Sequence, residues 1–138
     1  MASYTISASL DSLEQVTSYL QQHIASDAII FLTGDLAAGK TTLSSAIAKS
    51  KGITEGVTSP TFSLQQCYGR GLYHYDLYRI TNEEFFEMGL HEELDKSGWH
   101  LIEWADEKLQ SFLTNAGYNT ASITITPVGS HRDYHIEV

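Results

Sequence analysis

One cysteine, eight basic residues and no long apolar run mark what this chain of 138 residues has little of. The lone thiol, Cys67, rules out an intrachain disulfide and suits a reducing compartment. Ordinary apolar packing must therefore hold the fold, and a chain of this length can bury enough core without a staple or a structural metal. The eight Lys and Arg stand against seventeen Asp and Glu, for a formal charge of −9. The basic residues (Lys40, Lys49, Lys51, Arg70, Arg79, Lys96, Lys108, Arg132) are scattered, which argues against a protein that grips nucleic acid by itself. An acidic balance serves solubility first, and any RNA is expected to meet another subunit before this one. No apolar run approaches the ~20 residues of a membrane span. Met1-Ala2-Ser3-Tyr4-Thr5 has neither the basic start nor the apolar stretch of a secretory leader, so a cytoplasmic protein is expected. Repeats, low-complexity segments and linkers are also missing, which predicts one domain over residues 1–138.

Against these absences stands Gly34-Asp35-Leu36-Ala37-Ala38-Gly39-Lys40-Thr41, which fits the phosphate-binding pattern G-x-x-x-x-G-K-[ST]. The apolar run Ala28-Ile29-Ile30-Phe31-Leu32 before it reads as a buried strand, and the residues from Thr42 to Lys49 read as a helix. Strand, glycine-bounded loop and helix together aim backbone N–H groups and a helix N-terminus at a phosphate chain. Gly34 and Gly39 permit the backbone angles that such a nest requires. Lys40 would contribute a point charge to the β- and γ-phosphates, and the Thr41 hydroxyl a ligand for Mg²⁺.

The rest reads as alternating strands and helices. A short strand over 4–8 precedes a helix whose apolar face is Leu13, Val16, Leu20 and Ile24, with Asp11 and Glu14 spaced as a capping box. Beyond a polar connection, residues 61–68 and 72–78 form a strand pair around Gly69-Arg70-Gly71. Two short helices follow, over 82–88 and around 91–96. Then come a buried strand at Trp99-His100-Leu101-Ile102, a helix over 105–113, and a hairpin pairing 121–128 with 134–138. The pattern predicts an α/β, single-domain, P-loop NTPase-like fold, with a partly parallel central sheet, antiparallel hairpins and flanking helices.

A phosphate loop binds; hydrolysis also needs an acid for the metal or the attacking water. Glu103 stands where a buried strand emerges, in the manner of a Walker-B acid. Asp76, within Tyr73-His74-Tyr75-Asp76-Leu77-Tyr78-Arg79, needs a compensating partner in its aromatic setting. An ordinary ion pair between Arg79 and Asp76 or Glu83 is the simple reading of that arginine, and packing is the simple reading of Trp104. The histidines (His74, His91, His100, His131 and His135 among them) show no metal-ligand spacing, and Cys67 lacks a partner that would mark a nucleophile. A guanine-reading Asn-Lys-x-Asp motif is missing, which counts against a GTP switch. Three arginines and no long lid-like insertion count against a small-molecule phosphotransferase. A module that binds nucleotide without turning it over stays open.

Four blocks occur in a familiar order: Gly34-Asp35-Leu36 with Gly39-Lys40-Thr41-Thr42; Ser59-Pro60-Thr61-Phe62; His74-Tyr75-Asp76-Leu77-Tyr78-Arg79; and Ile102-Glu103-Trp104. Together they resemble the bacterial TsaE (YjeE) ATPases, which work in the threonylcarbamoyl modification of tRNA adenosine. The resemblance implies that Gly34, Asp35, Leu36, Ala37, Ala38, Gly39, Lys40, Thr41 and Thr42 enclose the phosphates of ATP, with Thr41 on Mg²⁺. It implies that Asp76 and Glu103 share the handling of metal and water, and that Lys40, Asp76 and Glu103 are the catalytic set. Ser59-Pro60-Thr61 matches a switch-like segment, and Tyr78, Arg79 and Trp104 match motif positions of less definite role. The implied partners are TsaB and TsaD, with tRNA reached through their complex and ATP turnover regulating it. One departure stands out: Ala37 occupies a position that is commonly glycine in that family. Ala resists positive φ, so weaker ATP affinity is expected if the loop needs it there.

Overall fold

The computed structural model describes residues 3–34, 39–53 and 64–138. In chain order the elements are β1 (Ser3–Ala8), α1 (Glu14–His23), β2 (Ala28–Thr33), α2 (Lys40–Ser50), β3 (Gln65–Gly69), β4 (Leu72–Asp76), α3 (Asn82–Glu87), α4 (Leu90–Glu93), β5 (Trp99–Glu103), α5 (Glu107–Asn115), β6 (Thr120–Val128) and β7 (His131–Glu137). All seven strands share one sheet in the order β1-β7-β6-β2-β5-β4-β3. The inner strands β6, β2, β5 and β4 run parallel, while β3 and β7 pair antiparallel at either side and β1 closes against β7. This is the partly parallel α/β architecture with antiparallel hairpins that the sequence pattern predicts.

Parallel strands are covered on both faces, so β2 reads as a continuous apolar run rather than an alternating one. Ala28, Ile30 and Leu32 point to the face covered by α1 and α2, where Val16, Leu20, Leu43 and Ile47 are fully buried. Ile29 and Phe31 point to the other face, against Phe85, Leu90, Leu109 and Leu113 of α3, α4 and α5. Fully burying one such side chain contributes about 1.5–3 kcal/mol, so this central strand anchors both layers.

Local chemistry sets the helix starts, with one revision. A capping box does precede α1, but Ser9 and Ser12 form it around a 3-10 turn at Leu10–Ser12; Asp11 lies inside that turn. The Ser9 N–H donates to the Ser12 hydroxyl at 2.9 Å, at the same three-residue spacing but two residues ahead of the expected Asp11–Glu14 pair. Thr81 and Glu84 form a second box at α3: the Thr81 hydroxyl accepts from Glu84 N–H and Glu84 Oε1 from Thr81 N–H. Asp106 caps α5 through Leu109 N–H at 2.8 Å and also receives the Asn82 amide, which ties the starts of α3 and α5 together. The strand expected over 61–68 is described from Gln65 onward, and its first residues lie outside the described set. Among the described residues no helix is long and apolar enough to cross a membrane.

Two features of the core generate predictions. At the foot of β5, Gly98 has φ +122, and a Cβ placed there would lie 2.0 Å from the Gly71 carbonyl oxygen. Gly98→Ala therefore combines left-handed strain with a backbone clash, and should lower unfolding free energy by roughly 2–5 kcal/mol in urea titrations at unchanged m-value. The second feature is His100, buried on the α3–α5 face. Its Nε2–H donates to the Lys96 carbonyl at 2.8 Å, and its Nδ1 accepts from the Tyr75 hydroxyl at 2.6 Å. Burial holds its pKa below the ordinary 6.5. As pH falls through that value the unfolded chain takes up the proton first, so stability present above it is lost progressively toward the lower folded pKa. His100→Gln should flatten the fall in unfolding free energy as pH drops below about 6.5, a slope that one such group can bring to ~1.4 kcal/mol per pH unit.

Candidate active site

The sheet register assembles the site. Leu32 of β2 pairs with Glu103 of β5, and Glu103 pairs with Asp76 of β4. The two carboxylates therefore occupy one rung at the carboxyl ends of parallel strands, on the face that carries α2. Such an end, beside the first turn of a helix, is where open α/β sheets bind ligands.

Gly34 leaves β2, and Gly39 opens α2 with φ +101, an angle that favours glycine. Lys40 begins the helix and is only 4% exposed. Its ammonium donates to the Gly34 carbonyl at 2.8 Å, lies 3.8 Å from Glu103 Oε1, and sits 3.9 Å from the centroid of the Trp104 ring. These partners are electron-rich groups, so Lys40 is already aimed into an environment that satisfies a cation. Thr41 and Thr42 are exposed on the first turn. Asp35, Leu36, Ala37 and Ala38, with the Ala37 departure, lie outside the described residues, as does Ser59-Pro60-Thr61-Phe62.

Glu103, also 4% exposed, is held from its far side by a histidine that spacing alone did not single out. A carboxylate accepts, so His74 Nε2–H donates to Glu103 Oε2, and His74 Nδ1 accepts from the Tyr68 hydroxyl at 2.8 Å. His74 is wholly buried one strand over. A signal for it did exist. Residues two apart on a strand share a face, so an Asp76 that faces the site brings His74 with it. Asp76 is half-buried, and its Oδ1 accepts from Tyr78 N–H at 3.0 Å; among the described residues Arg79 makes no ion pair.

Trp104 departs from the packing role expected of it. It is 37% exposed, has φ +66, and meets the Tyr78 ring edge-on at 4.9 Å. Its ring and Lys40 line a cleft of ≈ 350 Å³ with Leu32, Thr33, Gly34, Ala105 and Asp106. The Leu109 N–H and the Asn82 amide hold the Asp106 carboxyl below the usual range. Among the described residues no three His, Cys, Asp or Glu side chains gather as a metal site. Mg²⁺ does not require such a cluster, since it takes one or two protein oxygens and completes its octahedron with water and phosphate. Among the described residues Arg132 Nε is buried without a hydrogen-bond partner, against Gly39 at the loop's other flank.

Residues 7–134 match the family described as Threonylcarbamoyl adenosine biosynthesis protein TsaE. The chain is 40% identical over 113 residues to the tRNA threonylcarbamoyladenosine biosynthesis protein TsaE of Bacillus subtilis (strain 168), covering 74% of this chain and 71% of that protein. It is 39% identical over 101 residues to the protein of the same name from Haemophilus influenzae, covering 70% of this chain and 63% of that one. The fold is similar to the crystal structure of Bacillus subtilis YdiB, with a TM-score of 0.69 at 24% identity over 98% of this chain and 84% of that one.

The His74–Glu103 contact yields a direct check. His74→Phe and Glu103→Gln should each lower unfolding free energy by about 1–3 kcal/mol. In a double-mutant cycle read by urea denaturation they should couple by roughly 0.5–3 kcal/mol, whereas additive effects would mean that the two side chains do not hold each other.

Proposed function

The chain belongs to the TsaE family of tRNA threonylcarbamoyladenosine biosynthesis proteins, and on that premise we propose that it binds and hydrolyses Mg·ATP. One observation carries the reading: Lys40 at the start of α2 and the acids Asp76 and Glu103 on the neighbouring strands converge at one end of the sheet. The helix N-terminus and the loop from Gly34 to Thr42 would hold the phosphates, with Lys40 on the β- and γ-oxygens. Thr41 and the acid pair Asp76 and Glu103 would serve Mg²⁺ and the attacking water between them, and the metal when bound offsets the charge of the phosphate oxygens. Water would attack the γ-phosphorus in line, with ADP as leaving group. Of the two acids, one would hold metal while the other orients the water.

His74 acts through Glu103. By fixing one carboxylate oxygen it leaves the other facing Lys40, so the acid is preorganised before substrate arrives. The acidic chain, with its cations scattered, supports a regulatory subunit that works with TsaB and TsaD and meets tRNA through them.

Phosphate release from Mg·ATP, measured alone and with cognate TsaB and TsaD, tests this reading. Turnover should appear or rise with the partners. Lys40→Ala should abolish it, and Glu103→Ala should lower it by roughly a hundredfold or more while ATP binding changes much less. Full partner-stimulated turnover in Glu103→Ala would remove that residue from the chemistry. Tight ATP binding without turnover under any condition would make the protein a nucleotide-gated binding module.

A further inference from the structure

The polar row at the site reaches one strand further out than the two acids. In sheet order β3 is the outermost strand on that side, followed inward by β4 and β5. Each contributes one side chain to the row: Tyr68 from β3, His74 from β4 and Glu103 from β5. The Tyr68 hydroxyl lies 2.8 Å from His74 Nδ1, and Glu103, at the other ring nitrogen, reaches Lys40 at 3.8 Å. This row crosses the sheet on the face that Leu32, Leu72 and Leu101 otherwise fill with apolar surface, and the half-buried Tyr68 ring packs against that core.

Tyr68 reaches His74 from an irregularity in the strand pairing. Cys67 pairs with Tyr73 and Gly69 with Leu72, so β3 carries one residue more than β4 there, and that residue is Tyr68. Such a bulge re-aims a side chain, and bulges gather at sheet edges and beside active sites. The chemistry gives this aim a purpose. A Glu103 carboxylate only accepts, so it requires the His74 proton at Nε2. The neutral ring then has a bare Nδ1, and a bare acceptor buried away from water needs a donor. His74 is wholly buried, and among the described residues Tyr68 supplies that donor. Gripped at both nitrogens, the imidazole has one tautomer and one ring plane, which sets where it holds the Glu103 carboxylate.

We propose that Tyr68 is a positioning residue: by donating to Nδ1 it locks His74 as the Nε2–H tautomer and keeps the second oxygen of Glu103 facing the site. The proposal rests on the reading of Glu103 as a site acid. It gives the edge strand β3, to which neither the phosphate loop nor the acids belong, control over the orientation of that acid.

Imidazole nitrogen NMR of the nucleotide-free protein tests this without relying on turnover. Near neutral pH His74 should show a protonated Nε2 and a bare Nδ1; a protonated Nδ1 overturns the proposal with no variant needed, so the test survives if a variant does not fold. Tyr68→Phe keeps the packed ring and should speed exchange of the His74 Nε2 proton with water about tenfold or more. With cognate TsaB and TsaD it should lower kcat about 10- to 100-fold and leave KM for Mg·ATP within about threefold. Tyr75→Phe is the control, because its hydroxyl serves His100 in the opposite layer. That variant should leave the His74 proton and kcat unchanged. Equal changes in both variants mark a general loss of structure and overturn the proposal, as does an unchanged exchange rate or kcat in Tyr68→Phe. Turnover missing from the unaltered protein itself overturns the site reading, and the positioning role falls with it.

Discussion

Burying two opposite charges at the end of the sheet is the constraint on which this structure depends. Lys40 and Glu103 are each 4% exposed, and removing such ions from water costs several kcal/mol apiece. At 3.8 Å their mutual attraction offsets only part of that. The remainder comes from the Gly34 carbonyl and the Trp104 ring on Lys40, and from His74 on Glu103. Those groups arise at the end of β2, after β5 and within β4. They meet only because β2, β5 and β4 pair in one register. A slip of one residue in β4 would turn His74 and Asp76 to the opposite face and strand the Glu103 carboxylate. Register and site are thus a single requirement.

That dependence explains what could be read from sequence. The phosphate loop is a local signal: glycines, Lys40 and Thr41 lie within one turn of chain between an apolar run and a helix. Asp76 and Glu103 are visible as acids ending strand-like runs. Their sharing of a rung comes from pairing between segments, which neither run encodes alone. His74 was within reach through the two-residue strand period, once Asp76 was assigned to the site face. Arg132 carried no local mark, because only the closing of β7 against β6 and β1 brings it to Gly39. The cap before α1 moved from Asp11 to Ser9 because a 3-10 turn, which apolar periodicity does not register, intervenes.

Trp104 shows how backbone strain enters the site. A non-glycine residue at φ +66 is uncommon, and holding it there costs about 1–3 kcal/mol. The turn it makes ends β5 immediately after Glu103 and swings the indole back over Lys40, against Tyr78. Cation–π attraction contributes about 0.5–2 kcal/mol, of the same order as the strain. The Glu103 carbonyl still accepts from Leu77 N–H at 3.1 Å, so β4 and β5 stay joined at the point where the chain bends away. An exposed aromatic is therefore held over the cleft by a backbone that packing on either side keeps in place.

The charge of the whole chain bears on how such a site would capture an anion. A formal charge of −9 repels a nucleotide at long range, an effect that screening confines to about 8–10 Å. Capture must rest on short-range donors, and Lys40 with Arg132 brings two of the chain's eight cations to the flanks of one loop. Without metal, Glu103 holds Lys40 by its charge and opposes an incoming phosphate. A divalent cation on the carboxylates would reverse that sign, releasing Lys40 toward the phosphates while offsetting the repulsion. In the proposed function the buried acid would oppose nucleotide alone and favour the metal–nucleotide pair, which would make capture conditional on both arriving together.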